Sequence, residues 1–176
     1  VEDGFLRSRG LGAELVPPLS LVADDLGIYY DPGRPSRLEA LIAASVDLPD
    51  AELRRAERLV AAIRRRKLSK YNLDAEPVDL PDGHRILVVG QVEDDASVTS
   101  GAAEVTSNLG LLKAARAANP GAIIAFKPHP DVEAGLRAGA VDAGKTRGLA
   151  DVVAAGADPL HLLAQVEEVW TITSTL

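Results

Sequence analysis

The sequence predicts an α/β fold, a Rossmann-like parallel sheet with helices on both faces. Three observations lead there. Aliphatic runs at Arg85-Ile86-Leu87-Val88-Val89, Ala122-Ile123-Ile124-Ala125-Phe126 and Glu168-Val169-Trp170-Thr171-Ile172 alternate with helical stretches, the pattern of parallel strands covered on both sides. Hydrophobic residues make up 47% of the 176 residues but aromatics only 3%, so the core is Ala, Val, Leu and Ile in tight layers. Each run also ends in a polar cluster, where an open parallel sheet binds its ligands.

The elements follow in order. Residues 1–31 are loop-rich, punctuated by Gly4, Gly10, Gly12, Pro17-Pro18 and Gly27. Within them Ser20-Leu21-Val22-Ala23 and Gly27-Ile28-Tyr29-Tyr30 read as two short strands around the turn Asp24-Asp25-Leu26. Ser36 to Ala44 reads as a helix, with Ser36 as N-cap and Glu39 at the capping-box position. Asp50 to about Lys67 is a second helix, because Leu53, Ala56, Leu59, Val60 and Ile63 recur at three- and four-residue spacing and form one apolar stripe. Pro77 to Gly83 reads as a linker, placing a boundary between residues 1–76 and 77–176. Beyond it a strand at 85–89, a helix at Ser107–Ala118 closed by Asn119-Pro120-Gly121, a strand at 122–126, a helix at Leu160–Val166 and a late strand complete the alternation.

Composition narrows the function. A net charge of −7 argues against nucleic acid as a partner, since phosphate contacts need a basic surface. The local exception is Arg64-Arg65-Arg66-Lys67 with Lys70. The absence of cysteine excludes a disulfide framework, a Cys-zinc site and thiol catalysis. No apolar run approaches the ~20 residues of a membrane span and no signal peptide opens the chain, so a cytoplasmic enzyme is expected. Met is absent and the chain opens on Val1-Glu2-Asp3-Gly4, which reads as a piece of a longer polypeptide.

The strand ends hold the chemistry. After the first stands Gly90-Gln91-Val92-Glu93-Asp94-Asp95. This is no dinucleotide fingerprint, because three carboxylates would repel a diphosphate where glycines should cradle it. Two readings fit: one carboxylate acts on a sugar carbon as nucleophile or acid/base, or the acids cap a helix and complement its dipole. After the second strand, Lys127-Pro128-His129-Pro130 fixes one imidazole between two prolines beside an ammonium. That pair suits a phosphate or carboxylate, and the alternative is a His that caps a turn. After the third, Thr171, Thr173 and Ser174 offer hydroxyls and amides for an anion. Glu2-Asp3-Gly4-Phe5 with Arg7 and Arg9 forms a further acidic patch beside cations, readable as a site or as a salt-bridged loop.

Taken in order, Glu2-Asp3-Gly4-Phe5-Leu6-Arg7-Ser8, Pro18-Leu19-Ser20-Leu21-Val22, Gly27-Ile28-Tyr29-Tyr30-Asp31, Lys70-Tyr71-Asn72, Gly90-Gln91-Val92-Glu93-Asp94-Asp95, Lys127-Pro128-His129-Pro130-Asp131-Val132 and Thr173-Ser174 resemble the capsule polysaccharide biosynthesis proteins. These are bacterial β-Kdo glycosyltransferases that build a poly-Kdo linker on a phosphatidylglycerol acceptor. The resemblance implies a GT-B-like enzyme using CMP-β-Kdo with retention, 1–76 being the end of an N-terminal lobe and 77–176 the nucleotide-sugar-binding lobe. It implies Asp94 as nucleophile, with Glu93 and Asp95 as its neighbours in contention, and Asp3 or Glu2 as acid/base. It places Lys127, His129, Thr173 and Ser174, with Gln91 and Arg7, on the CMP phosphate and Kdo. No metal or other cofactor is expected, CMP-β-Kdo being the donor substrate. The partners are this CMP-sugar donor and a glycolipid or oligo-Kdo acceptor, with peripheral contact to the inner membrane. Competing readings are a sialic-acid-type CMP-sugar transferase and a non-catalytic binding module of capsule assembly.

Overall fold

A computed structural model describes residues 1–174. Its centre is a four-stranded, all-parallel sheet in the order β5-β4-β3-β6, formed by β3 (Arg85–Val89), β4 (Ile123–Lys127), β5 (Val152–Val153) and β6 (Glu168–Trp170). In register, Val88 stands between Phe126 on one side and Trp170 on the other. The three strand ends expected to carry the chemistry are therefore adjacent at one edge.

Both faces are covered. Side chains alternate along a strand, so Ile86 and Val88 point one way, into a layer with Ile124, Phe126 and Leu111, Leu112 and Ala115 of α4 (Asn108–Ala118). Leu87 and Val89 point the other way, to Ala125, Ala154, Ala157 and Leu162 of α7 (Pro159–Leu163). Ile86, Leu112, Ile124 and Leu162 are fully buried, each worth about 1.5–3 kcal/mol in transfer terms. The low aromatic content produces these thin layers: only Phe126 among aromatics is buried in the core.

The shorter helices are α3 (Ala96–Gly101), α5 (Pro130–Glu133) and α6 (Ala143–Thr146). α3 starts on Asp95, whose side chain accepts from Ser97 N at 2.9 Å. α5 starts on His129 with Pro130 in its first turn, where the missing N–H costs nothing.

The first 76 residues differ in character. β1 (Glu2–Asp3) pairs antiparallel with β2 (Leu21–Val22). The strand expected at residues 20–23 thus exists, but its partner is β1 and not Gly27–Tyr30, which is no strand. Asp24 is the reason. Its carboxylate accepts from Leu26 N, Gly27 N and Arg37 N at 2.9, 3.1 and 2.7 Å, an Asx turn that steers the chain into α1 (Arg37–Ala44) instead of a hairpin. α1 opens on the expected capping box of Ser36 and Glu39. A single 3-10 turn, Ser45–Asp47, leads to α2 (Asp50–Arg65). Neither helix buries a residue; Leu53, Leu59 and Val60, the apolar stripe of α2, are about half exposed.

The stretch expected as a linker is packed. Leu80 N donates to Gln165 Oε1 (2.9 Å), Gln165 Nε2 donates to Val78 O (2.9 Å), and Leu80 is buried beneath α7. Glycine allows a close approach where the first site loop turns. A Cβ on Gly90 would sit 3.1 Å from Pro128 Cα and 3.2 Å from Lys127 O, so β3 and β4 deliver their loops in near contact.

Candidate active site at the carboxyl edge of the sheet

The segment 1–10 is stitched to residues 70–72. Arg7 N and Ser8 N donate to Lys70 O (2.9 and 3.2 Å), Gly10 N to Tyr71 O (2.9 Å), and Asn72 Nδ2 to Ser8 O (2.8 Å). Asn72 holds a left-handed φ of 50°, a conformation Asn tolerates. Tyr71 Oη in turn lies 3.2 Å from His129 Nε2. Glu-Asp-Gly, Lys-Tyr-Asn and Lys-Pro-His-Pro, far apart in sequence, thereby meet at the carboxyl ends of β3 and β4.

Gly4 is what lets the acidic segment approach. A Cβ there would fall 2.0 Å from Ser20 Oγ. Asp3 is ion-paired with Arg7, whose Nη1 also donates to Ser8 Oγ and Val16 O, each at 3.0 Å. Glu2 accepts the Tyr30 hydroxyl at 2.7 Å, and that bond is the main reason the phenol is pushed up to about 12. Both candidate acid/base carboxylates are thus oriented by a neighbour.

The acidic triplet divides into three environments. Glu93 accepts Asn108 N at 2.7 Å and so ties the β3 loop to α4. Asp94 is exposed and pairs with Arg137 Nη2 at 3.0 Å. Asp95 is half-buried. Burial raises its pKa, but hydrogen bonds from Ser97 N and Oγ, with the charges of Lys70 and Arg137, outweigh that and hold it below the usual carboxylate range. Its charge is also felt by Tyr29, Tyr30, Lys70, Tyr71 and His129. Of the three acids, Asp95 is the one whose charge reaches Lys70, Tyr71 and His129, while its Oδ1 caps α3 through Ser97.

Gln91, expected on the donor, is spent inside the fold. Its Nε2 donates to Thr173 Oγ1 (2.9 Å), while Oε1 accepts from Thr171 Oγ1, Ile172 N and Thr173 N at 2.9, 3.0 and 2.7 Å. Ser174 N donates to Thr171 Oγ1 at 2.9 Å. The amides after β6 are therefore occupied, and what Thr173 offers a ligand is its hydroxyl proton.

His129 is likewise engaged at both nitrogens, since Nδ1 accepts from Asp131 N at 3.2 Å. Burial first, then the charge of Lys70, drops its pKa to about 4. The unfolded imidazole, at about 6.5, binds its proton more readily. Between those values acid favours the unfolded chain, so stability rises with pH from about 4 to 6.5 and gains nothing further from this group above. Denaturant midpoints of the wild type and of His129→Asn, measured across that window, are expected to converge as pH falls.

Lys127, buried at the end of β4, is the remaining cation of the motif; burial lowers its pKa against the opposing pull of Glu133 and Asp158. Neither its ammonium nor that of Lys70 has a hydrogen-bond or ion-pair partner among the described residues. Lys70 keeps access to solvent, and its pKa is also depressed by desolvation, with Asp95 opposing. Lys70, Tyr71 and Arg137 join the site although spacing gave no signal for them as site residues. Lys70 and Tyr71 lie in a motif that carries the family resemblance, but their place in the site, like that of Arg137, shows in the long-range bonds.

Beyond the carboxyl ends of β3 and β4, where an open parallel sheet offers a crevice, the charges of Arg7, Lys70 and Arg137 act on Asp95 or Asp131, and Asp3 is paired with Arg7. The model of the capsule polysaccharide biosynthesis proteins matches residues 1–78 and 74–176. The chain belongs to this family. Capsule polysaccharide modification protein LipA of Neisseria meningitidis serogroup A is 43% identical over 176 residues, covering 99% of this chain and 25% of that protein. Lipopolysaccharide-processing protein LpsZ of Rhizobium meliloti is 44% identical over 181 residues, covering all of this chain and 41% of that protein. Solved structures match as well, two of them KpsC chains. Thermosulfurimonas dismutans KpsC, beta Kdo 2,4 transferase, superposes with a TM-score of 0.82 at 37% identity, covering 99% of this chain and 55% of that one. KpsC, beta Kdo 2,7 transferase, of the same organism gives 0.72 at 35%, covering 98% and 50%. The capsule family chain described here is thus α/β and part of a GT-B-like glycosyltransferase fold, and it spans well under two thirds of each of these relatives.

Proposed function

We propose that the protein is a Kdo glycosyltransferase of capsule synthesis, moving β-Kdo from CMP-β-Kdo onto a glycolipid or oligo-Kdo acceptor with retention. One observation carries the reading: the carboxylates Asp3, Asp95 and Asp131 are brought among the cations Arg7, Lys70 and Arg137 where the segments converge. Cations suit an anionic sugar nucleotide, and two carboxylates suit a double displacement. Both similar KpsC structures are of beta Kdo transferases, which supports the choice of sugar.

In the first step a carboxylate oxygen attacks the anomeric carbon and the bond to the phosphate oxygen breaks, CMP leaving with the electron pair. In the second, the acceptor hydroxyl gives its proton to the acid/base carboxylate, its oxygen attacks the same carbon, and the first carboxylate departs. Two inversions give retention. Asp95 suits the nucleophile better than Asp94, because Asp94 stands exposed on Arg137 while Asp95 is kept ionised inside the crevice. Asp3, with Glu2 beside it, suits the acid/base. A keto-sugar centre ionises readily and CMP leaves easily, so positioning and charge supply most of the catalysis. A lipid-linked acceptor calls for a membrane surface near the crevice; among the described residues no helix is long and apolar enough to cross a bilayer.

The test is incubation of the full-length protein with CMP-Kdo generated in situ, followed by intact-protein mass spectrometry. A mass gain of one Kdo is the expected result. CMP release with acceptor but without any adduct would retain the transferase and remove the covalent step. Neither adduct nor turnover would move the reading to another CMP-sugar or to a binding module.

A further inference from the structure

His129 sits where a phosphate ligand is expected, yet it has no hydrogen to give one. Asp131 N–H points at Nδ1, which must then carry a lone pair. The neutral ring therefore holds its proton on Nε2, and that proton is directed at Tyr71 Oη, 3.2 Å away. The two rings meet edge to face, with centroids 5.7 Å apart and planes at 83°. A phenol oxygen that accepts one bond still has its own hydrogen to donate. Among the described residues the Tyr71 hydroxyl donates to none.

Tyr71 is rigidly placed. Its carbonyl accepts Gly10 N at 2.9 Å, Asn72 turns the chain through a left-handed φ and bonds back to Ser69 N and Ser8 O. The Lys70 ammonium lies 5.4 Å from the centroid of the Tyr71 ring and has no hydrogen-bond partner among the described residues. A free O–H and a free N–H donor thus stand side by side on one tripeptide.

We propose that Tyr71 and Lys70 form the contact with an anionic oxygen of the donor, and that His129 is a positioning residue which orients the Tyr71 hydroxyl toward it. The proposal rests on the crevice being a CMP-sugar site. Acceptance by Tyr71 of the imidazole N–H polarises the phenol and strengthens the bond it donates in turn. The anionic oxygen belongs to the phosphate or to the sugar carboxylate, and both present the same charge-assisted acceptor.

A double-mutant cycle on CMP binding, read by calorimetry with the full-length protein, tests this. Tyr71→Phe keeps the ring and is expected to weaken CMP about tenfold or more, as for a lost bond to a charged group. His129→Asn keeps an oxygen to cap α5 and should weaken CMP by roughly threefold on its own, and not at all in the Tyr71→Phe background. The KM for the acceptor should stay constant in both variants, which a general structural defect would not allow. Additive effects would mean that His129 touches the ligand itself, and the proposal fails. It fails too if Tyr71→Phe binds CMP as the wild type does and turns over CMP-Kdo with unchanged KM. An unchanged CMP affinity with a raised KM for CMP-Kdo supports the contact and assigns it to the carboxylate; weakened CMP binding assigns it to the phosphate. A wild-type protein that binds no CMP overturns the donor-site reading and this inference with it.

Discussion

Asp95→Asn is expected to abolish the covalent Kdo adduct and to lower transfer by on the order of 10⁴-fold, the scale seen when a nucleophile is removed from an otherwise intact site. The substitution isolates the chemistry. Asn has the same shape, and its oxygen can still accept Ser97 N, so the cap of α3 survives. What disappears is the charge that Lys70 and Arg137 stabilise. Asp94→Asn is the companion: removing one exposed ion pair with Arg137 should cost transfer less than about tenfold, since surface pairs are worth ~0–1 kcal/mol. Steady-state transfer and intact mass of both variants decide the matter. If Asp94→Asn produces the large loss, the nucleophile is Asp94 as the motif suggested.

Gln91→Leu should be the most destabilising single change at the site. Leu fills a similar volume but offers no amide, leaving Ile172 N and Thr173 N without the acceptor they now share. Each stranded, partly buried donor costs about 1–3 kcal/mol, so a loss of about 3 kcal/mol is reasonable. For a chain of this size that lowers the melting midpoint by roughly 6–12 °C. Gln91→Glu distinguishes acceptor from donor: it keeps the acceptor oxygens and loses only the bond to Thr173 Oγ1, and should fall by less than half as much. A Leu variant melting with the wild type would show that the β6 loop does not depend on this side chain.

The sheet was legible because its strands are local facts. Arg85–Val89 appears as read, since a run buried on both faces advertises itself in five residues. The α1 capping box is legible for the same reason: Ser36 and Glu39 sit three positions apart. β5 was missed because two residues, Val152 and Val153, cannot carry a period. β1 was missed because its strand residues are acidic, and a two-residue strand exists only through its partner residues Val22 and Leu21, far along the chain. The motifs at the strand ends located the site, while the roles within it depended on pairings that no window contains. Gln91 is a clamp because of residues 80 and more positions away, and His129 becomes a positioning group only through Tyr71, 58 positions earlier.

The two faces of the molecule differ in how much must open before a peptide bond is reachable. The strands of the sheet are sealed between α4 and α7, so exposing them requires losing the whole core. α2 is held by its own backbone bonds and contributes nothing to a buried layer, so one or two of its turns can unwind at small cost. Along it and just beyond stand Arg54, Arg55, Arg58, Arg64, Arg65, Arg66 and Lys67, all exposed. A protease that cuts after basic residues will therefore enter this chain between 54 and 67, and the sheet with its loops will outlast the cut.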